Sequence, residues 1–414
     1  MRIGYISAVF PPEPEPASVM ASELVRAWAG AGHDVFVVCP FPNRPHGVVY
    51  SGFKRRLWSI QSFEQARCVR VWSWLIGKER RPVNRILENV TFGFSSALAV
   101  LLHHRPDVVV LDTWPVLAAA LAVAACAARG IKVINYVQDI YPEAAIAAGF
   151  LRGESLAASA LARLDRWICT RADRNVVMSE GAAAVLAQSR KLPAERVFVI
   201  PGWLDLTSII PTTCGPAWRK EVGLGHDEHV FMFAGTMGHV SRVDVLLDVA
   251  DKLRGHDRIR LVCVGQGPLK PRMEDELTRR GLKNLMLLPF QPRERVSDMH
   301  SAADVMLLTT SAQMGFTSVP SKLITYLAVG KPVICAVPAQ ADVAALIQGE
   351  QLGLVVPPED PAALADAIQH MSAIERSSLV ETGRRARAVA LERYSLEGAL
   401  TRFNKLFADL GDVR

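Results

Sequence analysis

Short runs of β-branched and other apolar residues alternate with helix-length amphipathic segments along all 414 residues, the pattern of parallel sheets with crossover helices. Two such series are visible. The first predicts strands at Ile3–Ala8, Val35–Cys39, Val108–Leu111, Lys132–Val137, Asn175–Met178 and Val197–Ile200, with helices in the gaps, notably Ser18–Ala31 and Leu156–Arg171. The second restarts at His229–Ala234 and continues through Ile259–Val264, Leu285–Phe290, Val305–Leu308, Val333–Ala336 and Leu354–Val356, mirroring the first. Between them, Pro201-Gly202-Trp203-Leu204-Asp205 and the irregular stretch to Pro216 lack periodicity, which places a hinge there. The expected class is α/β, with two Rossmann-like doubly wound parallel-sheet domains facing a cleft, residues 1–203 and 204–390. Residues 391–414 are expected to form a helix packing back on the first domain.

The run from Val108 to Ala128 has the length of a membrane-spanning helix, but Asp112-Thr113-Trp114-Pro115 interrupts it. It reads instead as a buried parallel strand, a turn, and an Ala-rich helix stopped by Gly130.

Half of the residues are apolar and 21% are charged, which excludes a disordered chain and suffices for two cores. The seven Cys residues lie mainly inside apolar runs without metal-ligand spacing, so buried reduced thiols are expected. The opening Met1-Arg2-Ile3-Gly4-Tyr5-Ile6-Ser7 is strand-like rather than a leader, and a cytoplasmic location is expected. No Ser-His-Asp order, HExxH, Walker loop or GxGxxG stands in a suitable context, so neither metal nor cofactor is expected.

The net charge is +6, and its basic residues are unevenly spread. Phe53 to Arg85 concentrates Lys54, Arg55, Arg56, Arg67, Arg70, Lys78, Arg80, Arg81 and Arg85 with Trp58, Trp72 and Trp74. Basic residues with Trp suit an anionic membrane face or a lipid diphosphate. A solvated basic face is the alternative, and no nucleic-acid-binding signature accompanies the stretch.

In open parallel sheets, ligands bind beyond the carboxyl ends of the strands. This directs attention to the segments after Ile6, Val137, Ala234, Val264, Phe290 and Thr310. After the first strand of the second series comes Gly235-Thr236-Met237-Gly238-His239-Val240-Ser241-Arg242 and a helix from Val243 to Leu253. Glycines allow close backbone approach, and amides at a helix start favour an anion such as a diphosphate, although structural turns use glycine as often. Gly265-Gln266-Gly267-Pro268 reads equally as a tight bend.

In Val319-Pro320-Ser321-Lys322-Leu323, Pro320 fits the first helical turn and Ser318 could cap it. Lys322 then opposes the helix dipole unless an anion sits there; a solvated lysine is the alternative. In the first half, Asp139 and Glu143 follow a buried strand, and either could act as a base toward an acceptor hydroxyl. Glu143 reads equally as a first-turn helix carboxylate. The Pro11-Pro12-Glu13-Pro14-Glu15-Pro16 run reads as a stiff surface loop, with lining of the acceptor side as the alternative.

These residues resemble retaining glycosyltransferases of the GT-B fold, particularly the bacterial surface-polysaccharide branch that includes colanic-acid and O-antigen transferases. Gly32-His33-Asp34-Val35 is similar to that family's GHxV, Asp139-Ile140-Tyr141-Pro142-Glu143 to its DLWPE, and Ile200-Pro201-Gly202-Trp203-Leu204-Asp205 to its IPNWVD. Phe233-Ala234-Gly235-Thr236-Met237-Gly238 resembles YAGNMG, Val264-Gly265-Gln266-Gly267-Pro268 resembles VGDGP, and Pro320-Ser321-Lys322-Leu323 with Gly330-Lys331-Pro332-Val333-Ile334 resembles PSKL followed by GKPVI.

The departures are at charged positions. Where many relatives carry an Arg and a Lys for the diphosphate, this chain has Thr236 and Ser241, with Arg242 adjacent, and their Glu-x7-Glu pair falls on Met314 and Lys322. The N-terminal Gly-Gly loop is replaced by the Pro-Glu run.

The resemblance implies transfer with retention from a nucleotide sugar, of UDP-N-acetylhexosamine type, to a lipid-linked saccharide at the cytoplasmic membrane face. It implies phosphate binding by the amides of Gly235 to Gly238, with Arg242 and Lys322 supplying charge. Asp139 would position or deprotonate the acceptor, with Glu143 beside it. Gly265, Gln266, Phe290, Gln291, Thr317, Ser318, Val319, Pro320 and Ser321 complete the candidate donor contacts. A sugar-nucleotide 2-epimerase and a non-enzymatic two-domain binding protein are the competing readings.

Overall fold

The computed structural model describes residues 1–44, 47–74, 82–102, 105–147, 151–312 and 319–411. The chain divides into two compact units, Met1–Pro201 joined by the segment from Leu400 on, and Gly202–Ala399.

The first unit is built on an eight-stranded sheet: β1 (Arg2–Ile6), β2 (Asp34–Pro40), β3 (Trp58–Phe63), β4 (Ala66–Val71), β5 (Val108–Asp112), β6 (Lys132–Val137), β7 (Arg174–Val177) and β8 (Val197–Val199). Their order is β3-β4-β2-β1-β5-β6-β7-β8. The central strands are buried along nearly their whole length, which is why they read as unbroken apolar runs.

β3 and β4, absent from the strands predicted above, form an antiparallel hairpin pairing Trp58 with Val71 and Phe63 with Ala66. Its side chains alternate between faces, and the arginines scattered through it mask that alternation. Arg70, expected on a basic surface, is buried and donates to the carbonyls of Pro40 and Pro11. Arg67 pairs with Asp34 at 2.9 Å. Lys78, Arg80 and Arg81 lie outside the described residues.

The Pro-Glu run also departs from the expected surface loop. Glu13 is buried and accepts the amides of Phe10 (3.2 Å), Asn43 (2.8 Å) and Arg44 (2.9 Å), so it ties two loops together.

Val116–Ala128 forms the expected helix, and its small side chains admit a second helix, Pro82–Leu102, at very short range. A Cβ on Gly93 would stand 2.9 Å from the Ala118 Cα, so only glycine fits there. The C-terminal helix Leu396–Gly411 packs Phe403 and Phe407 edge-on against Trp28, at 5.5 and 5.3 Å between centroids.

The second unit is a six-stranded, wholly parallel sheet: β9 (His229–Ala234), β10 (Ile259–Val264), β11 (Leu285–Leu288), β12 (Val305–Thr309), β13 (Val333–Ala336) and β14 (Gly353–Val356). The order β11-β10-β9-β12-β13-β14 means that the chain leaves β9 in one direction and returns to its other side at β12. Apolar clusters cover both faces. The β9–β12 pairing registers only Phe231 with Val305 and Met232 with Met306, so the two strands part before their carboxyl ends. Such a reversal of strand order is where open α/β sheets leave a crevice.

Candidate active site

Where β9 and β12 part, the backbone of Ala234 would lose its ladder partner. The buried Tyr326 hydroxyl replaces it, accepting from the Ala234 amide at 3.0 Å and donating to its carbonyl at 2.7 Å. Tyr326 belongs to the helix Ser321–Ala328, and fixing it there fixes Lys322 one turn earlier. The Lys322 Nζ lies 4.6 Å from the centre of the Phe233 ring, and a Cβ added to Gly235 would be 3.4 Å from that nitrogen. Burial lowers the Lys322 pKa from its ordinary value, and no carboxylate pairs with it among the described residues. The helix begins on Pro320, not on a capping serine, and its start has no side-chain cap. Lys322 and Gly235 thus share one small space.

The glycines beside it have a structural reason. Gly235 donates to the Val264 carbonyl and Met237 to the Gln266 carbonyl, both at 2.9 Å, which continues the β9–β10 ladder past the strands. A Cβ at Gly265 would fall 1.9 Å from the Gly235 oxygen, and one at Gly267 2.4 Å from the Met237 oxygen, with φ of +154° and +153° at the two glycines. Only glycine permits that stacking of turns.

The same bonds correct the expectation that four successive amides face a ligand. Gly235 and Met237 are used in the ladder, Gly238 donates to Ser241 Oγ at 3.1 Å, and the Met237 side chain is core. Only the Thr236 amide has no partner among the described residues. Arg242 is corrected likewise: its guanidinium is 3.0 Å from Glu359 and 3.6 Å from Asp244, so its charge is already answered. Gln266, Phe290 and Ser321 are exposed, while Gln291, Val319 and Pro320 are half-buried around this end of the sheet. Thr317 and Ser318 lie outside the described residues.

At the carboxyl end of the first unit's sheet the groups are acidic. Asp139 is exposed, has no hydrogen-bond partner among the described residues, and its partial burial raises its pKa. Glu143 does not share that freedom. Both its oxygens accept from Arg190, at 2.7 and 2.9 Å, and Arg190 also holds buried Asp165 at 2.5 Å and the Tyr141 carbonyl. Burial raises the Glu143 pKa, but the Arg190 bonds outweigh it and leave the group below its ordinary value. A carboxylate so committed is a poor base, and the structural reading of Glu143 stands.

Asp112, at the end of β5, was missed. Its Oδ1 accepts from the Tyr5 hydroxyl at 2.9 Å and from Gln138 Nε2 at 3.2 Å, next to Asp139 in sequence. Burial pushes its pKa up to about 6 against the pull of bonds from Ser7 and Tyr5. The available signal was a carboxylate closing an otherwise apolar strand.

Two family models match, together covering most of the chain: "Glycosyltransferase Family 4" over residues 17–208 and "Glycosyl transferases group 1" over residues 228–373. A protein of Escherichia coli assigned as the colanic acid biosynthesis glycosyl transferase WcaI is 24% identical over 97% of this chain and 98% of its own length. One of Pseudomonas aeruginosa assigned as the glycosyltransferase WbjE is 29% identical over 72% of this chain and 74% of its own. The chain belongs to the family 4-like glycosyltransferases of the GT-B type. Among solved structures, HepE from Anabaena in complex with UDP is similar in fold, with a TM-score of 0.70 at 13% identity over 99% of this chain and all of that one. For this transferase, the matched segments include both strand-end regions described above, from Asp139 to Glu143 and from Gly235 to Lys322.

Proposed function

We propose that this glycosyltransferase takes its sugar from a nucleotide donor of UDP-N-acetylhexosamine type and passes it, with retention, to a lipid-linked saccharide during surface-polysaccharide synthesis at the inner membrane face. The observation that carries the donor side is Lys322: a desolvated ammonium without a carboxylate partner among the described residues, packed on the Gly235 turn where β9 and β12 part. As the anomeric carbon becomes cation-like, the departing diphosphate gains charge, and a fixed cation in a partly dry site stabilises it more than water would. The uncapped helix start and the Thr236 amide add donors. The UDP complex of the similarly folded HepE makes UDP the first base to test.

On the acceptor side Asp139 positions or deprotonates the attacking hydroxyl. Its raised pKa and lack of a partner support that role, whereas Glu143 is held elsewhere. The assignment of WcaI to colanic acid biosynthesis supports the polysaccharide context.

Thermal unfolding in the presence of UDP, GDP, ADP and TDP sugars tests the donor side. A ligand at about one hundred times its Kd adds roughly 2.7 kcal/mol, so one base should raise the melting point by several degrees while the others do not. If none does, the reading fails. Incubation of that sugar nucleotide without acceptor should return it unepimerised.

A further inference from the structure

The helix Pro82–Leu102 turns the wrong side to water. Phe92, Ser96, Ala99 and Val100 are buried, and Gly93 is clamped on Ala118, so its inner face is fully used. Yet Ile86, Leu87, Phe94, Leu98, Leu101 and Leu102 are exposed, by 38 to 62%. At 3.6 residues per turn these six fall within about 160° of one face. No charged residue occurs from Asn89 to Leu102. A surplus apolar face of this length marks an interaction surface.

The surface continues onto the hairpin. The Trp74 amide donates to Thr91 Oγ1 at 2.8 Å, the Trp72 and Trp74 rings are 6.3 Å apart, and the Trp72 amide donates to the Leu57 carbonyl at 2.9 Å. Leu57, Trp58 and Ile60 are themselves exposed. Immediately before them stand Lys54, Arg55 and Arg56. Arg55 lies over the Trp72 ring, while Lys54 and Arg56 are exposed and have no ion pair among the described residues. The nearby carboxylates Glu88 and Glu64 are engaged by Arg44 and Arg26.

We propose that this face, centred on Phe94 and Leu101 and bordered by Lys54 and Arg56, seats the protein on an anionic bilayer at the headgroup level. Apolar side chains with Trp and cations at their margin match an interface whose outer layer is negative and whose next layer is hydrocarbon. Among the described residues no helix is long and apolar enough to cross a membrane, and the Gly93–Ala118 contact keeps this helix lying along its own unit. A second copy on the same face would bring Lys54 and Arg56 to a surface that, among the described residues, offers no unpaired carboxylate to receive them, since Glu64 and Glu88 are engaged. The proposal deepens the lipid-linked acceptor reading by naming the surface that would reach the lipid.

The test is co-sedimentation of the full-length protein with vesicles of phosphatidylcholine alone or with about one-third phosphatidylglycerol. Wild type should partition onto the anionic vesicles. The double variant Phe94→Asp/Leu101→Asp should lose at least about tenfold of that partitioning, and Lys54→Glu/Arg56→Glu a similar amount. The milder Leu98→Ser should lose about threefold, and it serves should the double variant not fold. Both outcomes are read beside the melting shift given by UDP, which these variants should keep, so a failed docking surface is distinguishable from a failed donor site. Unchanged partitioning in the variants would overturn the proposal. So would equal recovery on neutral vesicles, or a wild-type dimer that Phe94→Asp/Leu101→Asp dissociates.

Discussion

The carboxyl ends of the two sheets are built on the same plan and carry opposite chemistry. In the first unit the residues following the strands are acids, and three of the four considered are bonded: Asp112 to Tyr5 and Gln138, Glu143 to Arg190, Glu13 to three amides. Asp139 alone among them has no partner among the described residues. In the second unit glycine turns occupy the same position, and among the described residues considered there the group left over is a cation, Lys322, since Arg242 already pairs with Glu359. What distinguishes the two ends is therefore not how many charged residues follow the strands but which one is left unanswered by a neighbour. Unpaired charge is where substrate chemistry can be done, since a paired group must first give up its partner.

The largest effect expected is structural. Gly265→Ala places a Cβ 1.9 Å from the Gly235 carbonyl at φ +154°, which should cost roughly 3–5 kcal/mol through backbone strain and overpacking. Gly238→Ala meets only Thr236 Cγ2, at 3.7 Å, and should melt as wild type does. Melting curves of the pair separate the stacked-turn account from general glycine sensitivity.

Next, Lys322→Ala should lower kcat by about 10²–10³-fold with little change in melting temperature, because no ion pair among the described residues is lost. Normal turnover in the folded variant removes Lys322 from the mechanism. The two acids of the other end should then separate by about 10²-fold. Asp139→Asn loses turnover on that scale, whereas Glu143→Gln keeps most of its turnover and instead loses on the order of 1 kcal/mol of stability by weakening the Arg190 pair. The reverse ranking would contradict the assignment.

The remaining effect, visible only as a pH dependence, concerns Asp112. Because folding raises its pKa to about 6, the folded chain holds the acid form at pH values where the unfolded chain has released the proton. Ionisation therefore opposes folding, and this contribution to stability falls as pH rises from about 4 to about 6, staying low above that. Asp112→Asn should remove on the order of 2 kcal/mol of that decline, measured as the difference between denaturant unfolding at the two pH values. A variant with the wild-type slope would show that Asp112 does not titrate in this window.

Much of the architecture was legible because parallel strands buried on both faces must be apolar at every position, and β6, β9, β10 and β13 have the ends expected of them. The β3–β4 hairpin was not, since an edge hairpin needs only alternate apolar positions and its arginines dominated the stretch. The meeting of Gly235 with Lys322 was legible from two rules acting together, ligands at strand ends and cations misplaced at helix starts. The commitments of Arg242 and Glu143 were not. Their partners, Glu359 and Arg190, are far away in sequence and carry no motif, so only folding reveals that those charges are already answered. Asp112 was visible as an interruption of an apolar run, but its bond to Tyr5 required the neighbouring strand.

Calorimetric titration of UDP and of UMP into wild type and Lys322→Ala goes to the centre of the account, that a partly dry lysine on the Gly235 turn neutralises the paired phosphates. Wild type should bind UDP at least tenfold more tightly than UMP, and the variant should lose most of that difference while remaining folded. Equal UDP affinity in the two proteins would place the diphosphate elsewhere and contradict the account.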